Sequence, residues 1–135
     1  MFKRKPNKSL KIDTLIGPKT RINGDVEFSG GLHLDGYING NVSGEQDPGT
    51  ILSVSEQGGI EGSVNVPTVI LNGIVKGDID ASLRVELGGK ARVLGNVRYS
   101  AIETAVGAQI NGKLIHRANI KPPEGDAGPT GDPSL

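Results

Sequence analysis

The sequence has no cysteine and no tryptophan among its 135 residues, one methionine, two tyrosines and two phenylalanines. Without cysteine there can be no disulfide framework, no thiolate metal site and no cysteine nucleophile, and a reducing cytoplasm is the expected compartment. No stretch approaches the roughly 18 consecutive apolar residues of a spanning helix, and the opening MFKRKPNKSLK lacks the apolar centre of a secretory signal. An aromatic content of 3% leaves no stacking platform for single-stranded nucleic acid. Long runs free of glycine and proline are also missing. The longest, residues 96–106, has eleven residues, about the length of one average helix, so a single all-β domain is expected.

What is abundant is glycine, 21 residues without a G-X-Y period, and its placement is regular. Gly24, Gly40, Gly62, Gly77, Gly95 and Gly112 follow one another at intervals of 16, 22, 15, 18 and 17 residues. Two positions before them stand Ile22, Ile38, Ile60, Val75, Val93 and Ile110; two after stand Val26, Val42, Val64, Ile79, Val97 and Leu114. The immediate neighbours of the glycines are polar except Leu94. Such period-two alternation, rich in Val and Ile, predicts a strand with one dry and one wet face, with the glycine on the dry side. Thr20, Gly36, Gly58, Gly73, Ala91 and Ala108, four positions earlier, predict a tight corner. Ile16, Leu32, Val54, Val69, Leu87 and Thr104, eight positions earlier, predict a second inward-facing strand.

A unit of about 17 residues cannot bury its own apolar side, so units must stack. The expected fold is a parallel β-helix, or β-solenoid, of about six coils, about 29 Å tall at about 4.8 Å per coil. Residues 43–49, SGEQDPG, fall in the longest interval and should loop out from one corner. Residues 14–118 form the expected β-helix. The basic segment 1–13 and the Pro-, Gly- and acid-rich segment 119–135 are expected to be disordered.

At both ends of the repeat the apolar positions run straight into polar segments. These are Leu15, Ile16 and Ile22 at one end, and Ile110, Leu114 and Ile115 at the other. Open β edges of this kind stack on a second copy of themselves, so these six residues are the expected self-association contacts. The N-terminal segment places Phe2 beside Lys3, Arg4, Lys5 and Lys8. Near an anionic lipid surface each basic residue contributes about 1 kcal/mol and a buried Phe about 2 kcal/mol. One copy would bind a membrane weakly, and a polymer would bind by avidity.

Catalytic chemistry finds no support. His33 and His116 stand apart among strand residues, and Asp25 with Glu27 and Asp78 with Asp80 read as wet-face charge. Glu45 with Asp47 falls short of the 6–8 oxygens that calcium takes. No catalytic residue, metal, cofactor, small-molecule substrate or nucleic-acid partner is assigned.

With these columns in place, residues 14–117 resemble the bactofilins, a bacterial polymer-forming cytoskeletal family. The likeness is carried by the I-x-G-x-V units Ile22-Asn23-Gly24-Asp25-Val26 and Ile60-Glu61-Gly62-Ser63-Val64, by Leu15-Ile16-Gly17, and by the run LHLDGYINGNV at residues 32–42. The resemblance implies a right-handed β-helix with a triangular interior and non-polar filaments formed without nucleotide through both end surfaces. It also implies a non-enzymatic scaffold at the inner face of the cytoplasmic membrane, serving cell shape, polarity or cell-wall remodelling, with cell-wall enzymes or other scaffold proteins as partners. Met1-Phe2-Lys3-Arg4 matches the family's membrane-touching opening. Assembly in the family depends on a bulky apolar residue of the last coil, frequently Phe; Ile110 or Leu114 occupies that region here.

The competing reading is a left-handed hexapeptide acyltransferase, which Ile22, Phe28 and Leu34, six apart, would suit. Intervals of 15, 16, 17 and 22 residues break the sixfold phase, and neither a trimer-cleft histidine nor a C-terminal helix is evident. A carbohydrate-cleaving β-helix would require clustered acids and an export signal.

Overall fold

A computed structural model describes residues 12–117. Their chain winds through six coils of three short strands each. Coil 1 holds β1 (Thr14–Ile16), β2 (Arg21–Asn23) and β3 (Val26–Phe28), and coil 2 holds β4 (Gly31–Leu34), β5 (Tyr37–Asn39) and β6 (Val42–Gly44). Coil 3 comprises β7 (Ile51–Val54), β8 (Gly59–Glu61) and β9 (Val64–Asn65); coil 4 comprises β10 (Thr68–Leu71), β11 (Ile74–Lys76) and β12 (Ile79–Asp80). β13 (Arg84–Leu87), β14 (Arg92–Val93) and β15 (Val97–Tyr99) make coil 5; β16 (Ala101–Thr104), β17 (Gln109–Ile110) and β18 (Leu114–His116) make coil 6.

Equivalent strands of successive coils pair in parallel, giving three six-stranded sheets. Sheet 1 runs β1-β4-β7-β10-β13-β16, sheet 2 runs from β2 to β17 and sheet 3 from β3 to β18. The expected all-β parallel solenoid of six coils is therefore the fold. The columns two residues either side of the repeating glycines stack in register, Ile22 on Ile38 on Ile60 in sheet 2 and Val26 on Val42 on Val64 in sheet 3. Within coils 2 to 5 these side chains are sealed from solvent, and each contributes about 1.5–3 kcal/mol by its burial.

The remaining column is shifted from its expected register. Sheet 1 stacks Ile16, Leu34, Val54, Leu71, Leu87 and Thr104, so Leu34 and Leu71 replace Leu32 and Val69. The cause is the corner between sheets 1 and 2. It is two residues long in coils 2 and 4, at Asp35-Gly36 and Asn72-Gly73, and four long in the other coils. A slip of two preserves the inward direction, so Leu32 and Val69 are still buried, one position earlier in the inward alternation. Sheet 3 adds an inward column absent from the sequence reading, in which Val66 and Ala81 are fully enclosed.

The repeating glycines form the corner between sheets 2 and 3, joining two strands rather than sitting on the dry side of one. Gly62 and Gly77 have φ of 152° and 155°, and a Cβ on either would collide with the glycine carbonyl of the coil beneath. The residue after the glycine builds a polar ladder. Asp25 Oδ1 accepts from the Asn41 amide at 2.9 Å, Asn41 Oδ1 from Ser63 at 3.0 Å, Asp78 Oδ1 from Asn96 at 2.9 Å and Asn96 Oδ1 from Lys113 at 3.0 Å. Each such bond contributes about 1 kcal/mol and fixes coil upon coil.

The polar insertion leaves the corner between sheets 3 and 1 as expected. The Asp47 carboxylate accepts from the Gly49 amide at 2.8 Å, and Gln46 reaches Ser82 at 2.9 Å, tying the loop down along the later coils. Gly62→Ala should destabilise the fold by about 1–3 kcal/mol, read as a lowered Tm. Gly17→Ala, where nothing lies within 4 Å of the added methyl, should shift stability by less than about 0.5 kcal/mol. Equal losses at both positions would contradict the corner account.

Candidate self-association surfaces

The inward columns are continuous from the first to the last coil of the described residues. Leu114 belongs to the column of Val42 and Val97, which are 0% exposed, yet Leu114 itself is 50% exposed because no coil of the described residues lies above it. Ile102 and Ile110 are half-buried for the same reason. Val106, at the tip of the corner between sheets 1 and 2, is 100% exposed. The corresponding tips of the other long corners carry Pro18-Lys19, Glu56-Gln57 and Gly89-Lys90, so an apolar tip is peculiar to the last coil. Coil 6 is held from below, its Ala105, Gln109 and Asn111 amides donating to Leu87, Ala91 and Val93 carbonyls at 2.8, 3.0 and 2.7 Å. Its outward edge of β16, β17 and β18 has no strand beside it among the described residues.

At the opposite end, Ile22, Val26 and Phe28 of coil 1 are half-buried against the core. Of the other residues expected to make contacts, Ile16 is 8% exposed and belongs to the core. Leu15 stacks beside His33 on the outer face of sheet 1, and Ile115 stacks beside Arg98 on the outer face of sheet 3. The structure thus gathers Ile110 and Leu114 on one end surface and places Ile22 on the other, with Leu15 and Ile115 on lateral faces. Ile102, Val26 and Phe28 were not expected there, nor was the apolar corner tip at Val106. Val106 carried a legible signal, an apolar residue where the equivalent corners are polar. Phe2, Lys3, Arg4, Lys5 and Lys8 lie outside the described residues.

Neither histidine is isolated. His33 lies 3.3 Å from Ser53 Oγ through Nδ1 and 3.1 Å from Asp35 through Nε2, an order reminiscent of an acyl-transfer triad. The trio lies on the outer face of sheet 1, and Ser53 sits inside β7, paired on both sides by β4 and β10. Its backbone amides serve the sheet ladder and are not free to stabilise an oxyanion. The trio links coil 2 to coil 3. His116 packs on Tyr99 with ring centroids 5.5 Å apart. On sheet 1, Arg84 is bound by Glu86 at 2.8 Å and Glu103 at 2.6 Å, and these carboxylates raise its pKa. On sheet 2, Arg21 lies 4.9 Å over the Tyr37 ring. Desolvation, with a hydrogen bond to Glu61, raises the Tyr37 phenol above its ordinary range. Asp80, expected as plain wet-face charge, pairs with Arg117.

The described residues include no helix long and apolar enough to cross a membrane and no group of three metal-ligating side chains. Among the described residues, the surfaces that remain without partners are the two coil ends and the flat outer faces of the sheets.

Comparison with known proteins agrees with this geometry. The family model described as "Bactofilin: Polymer-forming cytoskeletal" matches residues 14–115. Bactofilin BacO of Myxococcus xanthus is 30% identical over 106 residues, covering 78% of this chain and 81% of BacO. Bactofilin BacP of the same organism is 30% identical over 102 residues, 76% of this chain but only 41% of BacP. The cryo-EM structure of Thermus thermophilus bactofilin double helical filaments superposes with a TM-score of 0.64 at 28% identity, covering 77% of this chain and 99% of that one. The stacked glycine-cornered coils and these likenesses together make the chain a member of the bactofilins, a structural, non-catalytic family of polymer-forming cytoskeletal proteins.

Proposed function

We propose that the chain polymerises end to end, without nucleotide, into filaments that act as a cytoskeletal scaffold. The observation that carries this reading is the unfinished core of coil 6: Leu114 is half exposed in a column that is otherwise sealed, and Val106, at a corner tip of the same coil, is wholly exposed. Burying those two side chains against another coil would contribute about 1.5–3 kcal/mol each, and the strand edges would gain a ladder of backbone hydrogen bonds. The Thermus relative, solved as a filament, supports the assignment.

The scaffold acts at the inner face of the cytoplasmic membrane, held there by Phe2, Lys3, Arg4, Lys5 and Lys8 on anionic lipid. What supports this is their composition alone: one aromatic and four basic residues within the first eight positions. Many weak anchors on one polymer hold it to a surface that a free copy leaves. Support of cell shape, polarity or wall remodelling, through contacts with cell-wall enzymes or other scaffold proteins, belongs to the same reading.

Purified protein in nucleotide-free buffer should show thin unbranched filaments by negative-stain microscopy. Val106→Arg should leave only short or single species, with Tm altered by less than about 0.5 kcal/mol equivalent because the site makes no fold contact; persisting filaments would move the junction away from this end. Deleting residues 2–8 should lower co-sedimentation with anionic vesicles by more than about tenfold while filaments persist. Unchanged pelleting would remove the anchor from the account.

A further inference from the structure

One ionisable ring stands in the unfinished core. The second inward column of sheet 3 runs through Phe28, Gly44, Val66, Ala81, Tyr99 and His116, one residue per coil. A Cβ on Gly44 would meet Val66 Cγ1 and Phe28 Cζ, so the column is tightly packed where it is enclosed. Val66 and Ala81 are sealed from solvent, and Tyr99 is half-buried against the core. His116 carries the column into coil 6, where it is exposed for the same reason as Leu114: no coil of the described residues covers it. Among the inward positions of the described residues, it alone holds a side chain of the type that ordinarily changes charge between pH 5 and 8.

The ring is held in place. It packs on Tyr99 with centroids 5.5 Å apart, and its Nε2 lies 3.2 Å from the Ser100 carbonyl oxygen. A carbonyl only accepts, so Nε2 carries the proton of the neutral ring and Nδ1 is where a second proton binds. Nothing around it offsets that second charge. The charged neighbours on sheet 3 are Arg98, Lys113, Arg117 and Asp80, and Asp80 is engaged by Arg117. On β16, Glu103 lies on the outer face of sheet 1 and is bound by Arg84. The remaining titratable group against the ring is the Tyr99 phenol, and a phenol supplies no negative charge near neutral pH. The inward positions that a second copy brings to this end, Ile22, Val26 and Phe28 of coil 1 or Ile102, Ile110 and Leu114 of coil 6, include no acid.

We propose that the junction at coil 6 is acid-labile, with His116 as the group that sets its pH range. The junction admits the neutral ring, stacked on Tyr99 and bonded to Ser100. It rejects the imidazolium, because covering that charge with apolar side chains strips its hydration and provides no counter-charge. A proton therefore binds the free end more readily than the covered one. By linkage, assembly strengthens as pH rises and weakens as pH falls through the ordinary imidazole range. An imidazole of ordinary pKa is about nine-tenths charged at about pH 5.5, so a contact that admits only the neutral form loses about tenfold in affinity there. His33 has a different setting, 3.1 Å from the Asp35 carboxylate on the outer face of sheet 1 in coil 2. The proposal rests on the filament reading above and adds to it a means of regulation.

The test is the critical concentration for filament formation, read by pelleting and negative-stain microscopy in nucleotide-free buffer at about pH 7.8 and about pH 5.5. The wild type should need about tenfold more protein at the lower pH, with its β-rich circular dichroism spectrum unchanged. His116→Phe and His116→Leu, both apolar in an apolar column, should fold and assemble with critical concentrations that agree within about twofold at the two pH values. His33→Asn should keep the wild-type response. A wild type indifferent to acid, a rise that survives in either His116 variant, or a rise that vanishes in His33→Asn would overturn the proposal. So would loss of the β-rich spectrum at the lower pH, which would place the effect in the fold, and so would folded His116 variants that form no filaments at about pH 7.8, which would make the ring a required bond. Absence of wild-type filaments at both pH values is a different result, which would sink the end-to-end reading and this proposal with it.

Discussion

A coil of this molecule cannot stand alone. Its three strands of two to four residues enclose only a few inward side chains, and its backbone groups point along the axis to the coils above and below. Parallel pairing at about 4.8 Å satisfies both needs at once. Leucine, isoleucine and valine stack in columns, amides meet carbonyls, and the Asp25, Asn41, Asp78 and Asn96 side chains add a polar seam at the glycine corner. The same requirement makes the ends unstable as surfaces. Exposure rises from nothing in the middle coils to half at Leu114 with no change in residue character. In the proposed assembly, polymerisation continues folding across the boundary of the chain.

Glycine is the residue this arrangement constrains most tightly. At the corner between sheets 2 and 3 each glycine after Gly24 lies over the carbonyl of the one below, leaving no room for a Cβ. Interval lengths can then vary freely, because the other corners absorb the difference. The 22-residue interval places its surplus in the loop around Asp47, and the two-residue corners at Gly36 and Gly73 shorten two coils.

That is also why sequence showed some columns and misplaced another. Positions two residues either side of the glycines are tied to a fixed corner, so Ile22 through Ile110 and Val26 through Leu114 were legible as stacks. Across the variable corner the count slips by two, and Leu32 and Val69 were assigned where Leu34 and Leu71 stand. Period-two alternation hid the slip, since both choices face inward. The polar ladder was invisible because Asn41 or Asp78 beside a glycine reads as an exposed side chain until its neighbour 4.8 Å away is known. At the end surfaces Ile110 and Leu114 were legible from the column, whereas Leu15 and Ile115 alternate outward, a direction that depends on the sheet 1 and sheet 3 registers. The contact between His33 and Ser53, twenty residues apart, required the register of coil 2 on coil 3.

The outer surface of the described residues offers flat faces and charge, in keeping with a structural family. Its information lies in arrangement along the axis, in its apolar ends. The most direct measurement of the central claim is the axial spacing of copies in an averaged filament image. Ends that meet coil on coil give about 29 Å per copy, six coils at about 4.8 Å. A spacing substantially larger than this, with density separating successive solenoids, would contradict the claim that the exposed coil is the junction.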